Sequence, residues 1–72
     1  MIVFKPFNGF DFQLLNSFNG IESTEKNLED LRGKIEDLYF RDDSYDYSTK
    51  GNVSWIIFDR QEGSMLEILI NE

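Results

Sequence analysis

The stretch TEKNLEDLRGKIEDLYF, residues 24–40, decides the fold. Its apolar residues recur at spacings of three, four and three, which places them on one stripe of a helix. The residues of this stripe are Leu28, Leu31, Ile35 and Leu38, with Tyr39 beside them. Ser23 or Thr24 can cap the first turn, and Glu25 complements the positive helix end. The pattern predicts a helix over 24–40 that buries one face.

Shorter apolar runs with turn signals between them flank this helix. Residues 2–4 and 10–14 lie on either side of Asn8-Gly9, the strongest short signal for a β-hairpin, and they predict two strands, with Pro6 placing the first at an edge. Residues 53–58 and 65–70 predict a second hairpin that turns at Gly63. The polar residues 41–52 between helix and second hairpin are predicted to be a loop.

The predicted order is therefore strand, strand, helix, strand, strand within a single domain covering residues 1–72. Such an order is typical of an α+β fold in which one helix packs on one face of an antiparallel four-stranded sheet. The other face would then be uncovered. Apolar residues on it, such as Ile56, Phe58 and Leu69, would form a patch that a partner or second subunit covers.

Composition narrows the class of protein. A chain of 72 residues without Cys or His has no disulfide and none of the usual zinc ligands, so it must rely on packing or share a core with a second copy. It also lacks the commonest general base and the strongest nucleophile, and its glycines are isolated. We therefore expect no enzyme activity, no cofactor and no metal site. No secretory signal or membrane-spanning run is apparent, so the cytoplasm is the expected compartment.

The negative charge is concentrated rather than spread. Residues 21–47 hold nine acids and four bases, while the whole chain has a net charge of −7. This excess should repel nucleic acid and anionic membranes, and it should attract basic protein surfaces. The expected partner is therefore a basic protein surface, and no direct binding to nucleic acid is expected.

Two groups of residues are candidates for that contact. On the helix, acids seven residues apart form two rows around a glycine, namely Glu29, Asp30, Gly33, Glu36 and Asp37. In the predicted loop, three carboxylates and two phenols lie within six residues, namely Asp42, Asp43, Tyr45, Asp46 and Tyr47. Tyrosine supplies rigid contact area and carboxylates select Arg and Lys. The alternative interpretation is a solvated helix face, with acids paired to Lys26, Arg32 or Lys34.

These features predict a small acidic intracellular binding protein. It would be a stoichiometric inhibitor that occupies the nucleic-acid-binding site of a nuclease or similar enzyme as a nucleic-acid mimic. Phage-borne anti-defence proteins and toxin immunity proteins share this character, although not this sequence. The alternative is a homo-oligomeric structural or regulatory module that uses the exposed sheet face, and a homodimer is the expected assembly.

Overall fold

The computed structural model describes residues 1–51 and 53–71 of the chain. It contains one four-stranded antiparallel sheet and one main helix, so the predicted α+β class is confirmed. In chain order the elements are strand β1 (Ile2–Phe7), a 3-10 helix (Gln13–Phe18), helix α1 (Glu25–Ile35), a π-helical turn (Glu36–Phe40), and strands β2 (Tyr45–Lys50), β3 (Ser54–Asp59) and β4 (Ser64–Ile70).

Helix α1 forms where the sequence predicts it. The Thr24 hydroxyl accepts a hydrogen bond from the Asn27 amide at 3.1 Å, which caps the first turn. Leu31 and Ile35 are fully buried. After Ile35 the chain widens into the π turn, and Tyr39 rather than Leu38 becomes the fully inward residue. The wider turn has more residues per repeat, so the buried position moves one residue along the chain.

The strands lie in the order β1-β4-β3-β2, and each neighbouring pair is antiparallel. Strands β3 and β4 form the predicted C-terminal hairpin, in which Gly63 takes a positive φ of 68°. Strand β1 is an edge strand, which suits Pro6 because proline cannot donate to a ladder. Strand β3 lies between β4 and β2 and is therefore one of the two central strands.

The predicted N-terminal hairpin is wrong. Asn8 and Gly9 do turn the chain, with φ of 54° and 76°, but residues 10–14 leave the sheet and lead into the 3-10 helix. Strand β1 pairs instead with β4, and Ile2 lies opposite Ile70. A turn signal reports only that the chain reverses locally. The strand that pairs with β1 is the one that buries more apolar surface against it. Strand β4, which has buried residues along one whole face, is that partner.

The prediction of a loop over 41–52 is wrong for residues 45–50, which form β2 along the free edge of β3. Asn52, the last residue of that prediction, lies outside the described residues. Tyr45, Tyr47 and Thr49 alternate with polar residues, and tyrosine and threonine both favour strands. The polar composition of an exposed edge strand conceals this alternation. The fourth strand is thus supplied by residues after the helix rather than before it.

The core lies between one face of the sheet and a layer made by α1, the 3-10 helix and the π turn. Its buried residues form a single cluster, namely Ile2, Phe4, Phe10, Leu15, Leu28, Leu31, Ile35, Tyr39, Trp55, Ile57, Leu66, Ile68 and Ile70. The strand residues of this cluster come from β1, β3 and β4, and most of them lie on β3 and β4, the two central strands. These two strands therefore carry most of the sheet's contribution to the core.

Replacing Leu31 with Ala should destabilise the fold strongly. Leu31 is 0% exposed, so the change leaves a cavity and is expected to lower the free energy of unfolding by about 2–5 kcal/mol. Leu14→Ala is the matched control because Leu14, in the 3-10 helix, is 66% exposed. Its expected effect is below about 0.5 kcal/mol. Urea unfolding followed by circular dichroism measures both, and equal effects would contradict the packing described above.

Candidate functional site

The helix carries the first group of candidate residues on its exposed side. Glu29, Asp30 and Gly33 all face solvent, and an added Cβ at Gly33 would meet no atom within 4 Å. Lys26, one turn earlier, binds Asp30 at 2.9 Å, which is a pairing of the kind that the solvated helix face would contain. Exposed pairs of this spacing contribute only about 0.3–0.5 kcal/mol. This part of the helix is an open, partly neutralised surface.

The second group does not stay together, because β2 sends alternate side chains to opposite faces of the sheet. Tyr45 and Tyr47 point toward the helical layer, whereas Asp46 points to the other face. There Asp46 lies 3.7 Å from Arg60. Asp42 and Asp43 precede the strand and are exposed. The six-residue cluster seen in the sequence is therefore divided between two sides of the molecule.

Both tyrosines of β2 have aromatic partners within the chain. The Tyr45 ring contacts Tyr39 edge-on, with centroids 4.8 Å apart, and the Tyr47 ring contacts Phe40 in the same way at 5.1 Å. Each is half-buried. Edge-to-face pairs of this kind contribute about 0.5–1.5 kcal/mol beyond burial. The rings are thus held by the π turn, and a partner would meet their edges rather than free side chains.

Tyr47 also lies beside a charged group. Its phenol oxygen is buried, and burial raises the pKa of Tyr47, an effect that the nearby Arg32 cation opposes and Glu36 reinforces. Arg32 in turn stacks over the Trp55 ring, with its guanidinium carbon 5.2 Å from the centroid. Arg32 and Glu36 therefore cover the outer edge of the core between α1 and β2. Asp37, next along the π turn, is exposed.

Four acids lie near Tyr45 at the end of the sheet where β2 begins and β3 ends. Burial raises the pKa of the Tyr45 phenol, and the carboxylates of four residues raise it further: Asp59, Asp42, Asp11 and Glu62. These four residues come from three separate parts of the chain. We call this group, with Tyr45 at its centre, the acidic end.

Three of these carboxylates are held by backbone amides. Asp42 accepts from the Ser44 amide at 2.9 Å, Asp11 from the Gln13 amide at 3.0 Å, and Asp59 from the Gln61 and Glu62 amides at 3.0 and 3.2 Å. The Ser44 bonds also hold the pKa of the Asp42 carboxyl below its usual value. Each bond restricts the carboxylate to one orientation. The acidic end is consequently a preorganised group of negative charges.

Of this group, only Asp42 and Tyr45 were candidates from the sequence. Asp11, Asp59 and Glu62 lie outside the acid-rich region and were missed. Asp59 reaches the site because it pairs with Tyr45 across β2 and β3, and Glu62 follows it in the turn. The alternation in residues 45–50 was the available signal, since a strand there must pair with β3.

Within the part of the chain that the structure describes, no other element packs on the second face of the sheet. Ile56 and Leu69, which the sequence placed there, are half-buried, and Phe58 is 37% exposed. Phe7, at the end of β1, is 42% exposed beside Met65 of β4. The predicted apolar patch is therefore present. We call this surface the open face.

Among residues 1–51 and 53–71, no group of three or more Asp or Glu side chains is placed to hold a metal ion. In the same part of the chain, no helix has the length and hydropathy needed to cross a bilayer. Comparisons of the chain with protein-family models, with curated proteins and with solved structures found no match. The two surfaces must therefore be interpreted from their own chemistry.

The tyrosines predict how stability depends on pH. Burial raises the pKa of Tyr39, Tyr45 and Tyr47, the three tyrosines of the chain, above the usual 10.0. Above about pH 10 the unfolded chain releases phenol protons that the folded chain retains, so the folded state loses stability as pH rises further. We expect phenolate absorbance to rise at higher pH in the native protein than in denaturant, together with loss of the helical signal.

Tyr45→Phe provides the control for this titration. It should remove one third of the phenolate amplitude, together with the part of the pKa shift that the acidic end produces at Tyr45 itself. If all three phenols of the native protein titrated at the same pH as in denaturant, with the helical signal intact, the described burial of the rings would be wrong.

Proposed function

We propose that this chain is a non-enzymatic binding protein that inhibits a basic cytoplasmic partner by occupying its nucleic-acid-binding site. The observation that carries the proposal is the acidic end. Asp59 lies opposite Tyr45 across the β2–β3 pair, the Asp42 carbonyl accepts from the Tyr45 amide at 3.3 Å, and Asp11 follows Phe10, whose ring contacts Tyr45. A site built for phosphates presents Arg and Lys side chains, and these bind carboxylates by the same charge-assisted hydrogen bonds. Here carboxylates take the place of phosphates.

The backbone bonds to Asp11, Asp42 and Asp59 support this role. Groups already held in one orientation lose little conformational entropy on binding, so more of the interaction energy remains as affinity. The same bonds also close the local turns of the chain, as Asp side chains that accept from the amide two residues on commonly do. The half-buried Tyr45 between these acids adds an aromatic edge of the kind that protein interfaces favour.

The acids of the helix have a different part in this proposal. Glu36 and Asp37 lie on the π turn that leads toward the acidic end, whereas Glu29 and Asp30 lie about two turns earlier. Their exposed charges add to the field that draws a basic partner toward the molecule. Such steering acts on the rate of association and weakens as ionic strength rises. Direct contact is assigned to the acidic end.

The test compares two variants that remove the same amount of charge. The first carries Asp11→Asn, Asp42→Asn and Glu62→Gln, because these three members of the acidic end are exposed and Asn retains an oxygen for the backbone bond. The control carries Glu22→Gln, Glu25→Gln and Glu29→Gln, all exposed and near the start of the helix. Tagged wild-type chain captures its partner from the cells that make it. Association rates of the purified partner are then measured for all three proteins.

We expect the first variant to associate at least tenfold more slowly than wild type, with a flatter salt dependence, and the control to lose much less. A DNA duplex should displace the wild-type chain from its partner, since both would occupy one site. Equal losses in the two variants would show that only net charge matters. Unchanged binding of the first variant, or no competition by DNA, would contradict the proposed site.

A further inference from the structure

The open face is a regular array that the strand registers define. Its side chains form three rows, each crossing β1, β4, β3 and β2 in that order. The first row is Phe7, Met65, Phe58 and Asp46; the middle row is Lys5, Glu67, Ile56 and Ser48; the last row is Val3, Leu69, Ser54 and Lys50. Six of these twelve side chains are apolar, and they lie on β1, β4 and β3. Phe7, Met65, Phe58 and Ile56 form one group, and Val3 and Leu69 form a second on the far side of the charged Lys5 and Glu67.

The charge of this face differs from that of the rest of the chain. It carries two acids, Asp46 and Glu67, and two bases, Lys5 and Lys50, with Arg60 at its rim. The face is thus close to neutral in a chain whose net charge is −7. A strongly basic or strongly acidic partner surface would meet few opposite charges on this face. An equally neutral, equally apolar surface is the better match.

We propose that the open face pairs with the open face of a second copy, forming a two-fold symmetric sandwich of two sheets. Symmetric homodimers use the same patch on both copies, and stacked sheets lie about 10 Å apart with strands within about 30° of each other. The two-fold axis runs across the strands, along the middle row. Each strand then faces its own copy, and the first row of one copy faces the last row of the other.

This orientation brings complementary side chains together. Asp46 of each copy faces Lys50 of the other, and Phe7 and Met65 face Val3 and Leu69. Ile56 lies on the axis and faces its own copy. Glu67 and Lys5 also face their own copies, which places like charges opposite each other. Because the two residues are neighbours in one row, each Glu67 carboxylate also has the Lys5 ammonium groups of both copies beside it.

The acidic ends favour the same axis. Tyr45 and Asp59 lie at the end of the sheet that carries the first row. With the axis across the strands, the two acidic ends lie at opposite ends of the dimer, on opposite outer sides. An axis along the strands would instead bring them to the same end, where their charges repel. The proposed dimer therefore leaves both acidic ends exposed and well separated.

The size of the face sets the expected affinity. Four strands about 4.8 Å apart and about six residues long at about 3.3 Å per residue give a footprint of roughly 400 Å² per copy. The two copies together have a footprint of about 800 Å², and side-chain relief raises the buried area above it, toward the roughly 1,200 Å² of the smallest stable interfaces. We therefore expect a reversible dimer that dissociates in the micromolar range.

Sedimentation equilibrium of the whole chain tests the proposal. We expect a species of twice the 8.5 kDa chain mass at hundreds of micromolar, dissociating on dilution. Ile56→Asp replaces an apolar contact on the axis with two further carboxylates, next to the Glu67 side chains that Lys5 already neutralises, and should give a monomer that circular dichroism shows to be folded. Leu14→Asp, on an exposed leucine of the other layer, should leave the dimer intact. A wild-type monomer at hundreds of micromolar, or a dimer that survives Ile56→Asp, would overturn the proposal.

A charge exchange tests the orientation without touching the apolar residues. Asp46→Lys alone and Lys50→Asp alone place like charges opposite each other, so each should weaken self-association at least threefold at low salt. An equimolar mixture of the two variants restores opposite charges at both contacts and should form a mixed dimer. If either variant dimerised as well as wild type, or if mixing gave no recovery, the proposed pairing of the two faces would be wrong.

Discussion

The structure depends on one constraint: a single helical layer covers a four-stranded sheet from one side only. Leu31 and Ile35 of α1 and Trp55 and Ile57 of β3 are buried in one cluster, and no disulfide reinforces it. In a chain this short, that cluster supplies most of the favourable free energy of folding. The acidic end and the open face both result from where this packing places the remaining residues.

The acidic end is one such consequence. The π turn brings Tyr39 into the core, and Tyr39 packs against Tyr45 at the start of β2. That contact, together with the pairing of Tyr45 with Asp59, draws the ends of three chain segments to one place. Their carboxylates are close enough to oppose ionisation of the Tyr45 phenol. Mutual repulsion among them costs stability, and proteins commonly accept that cost at binding surfaces.

The open face is the other consequence. The strands alternate, so each residue that enters the core is followed by one on the opposite face, and in β3 and β4 those residues are largely apolar as well. The two proposed surfaces lie on different parts of the molecule and differ in chemistry, one charged and held by backbone bonds, the other neutral and apolar. Binding at one therefore leaves the other accessible, and a dimer would present two acidic ends.

Local patterns in the sequence were sufficient for the helix, for β1 and for the β3–β4 hairpin, because amphipathic periodicity, a capping threonine and a glycine turn act over a few residues. They also sufficed for the class of fold and for the apolar open face. They misplaced the fourth strand, since Asn8-Gly9 specifies a turn but not its partner, and the polar β2 gains its place only by pairing with β3. The sequence-based choice of residues for the candidate site was incomplete for the same reason. Neighbours such as Asp42 and Asp46 separate onto different sides of the molecule, whereas Asp11 and Asp59 meet through packing between distant segments, and only the tertiary structure decides such contacts.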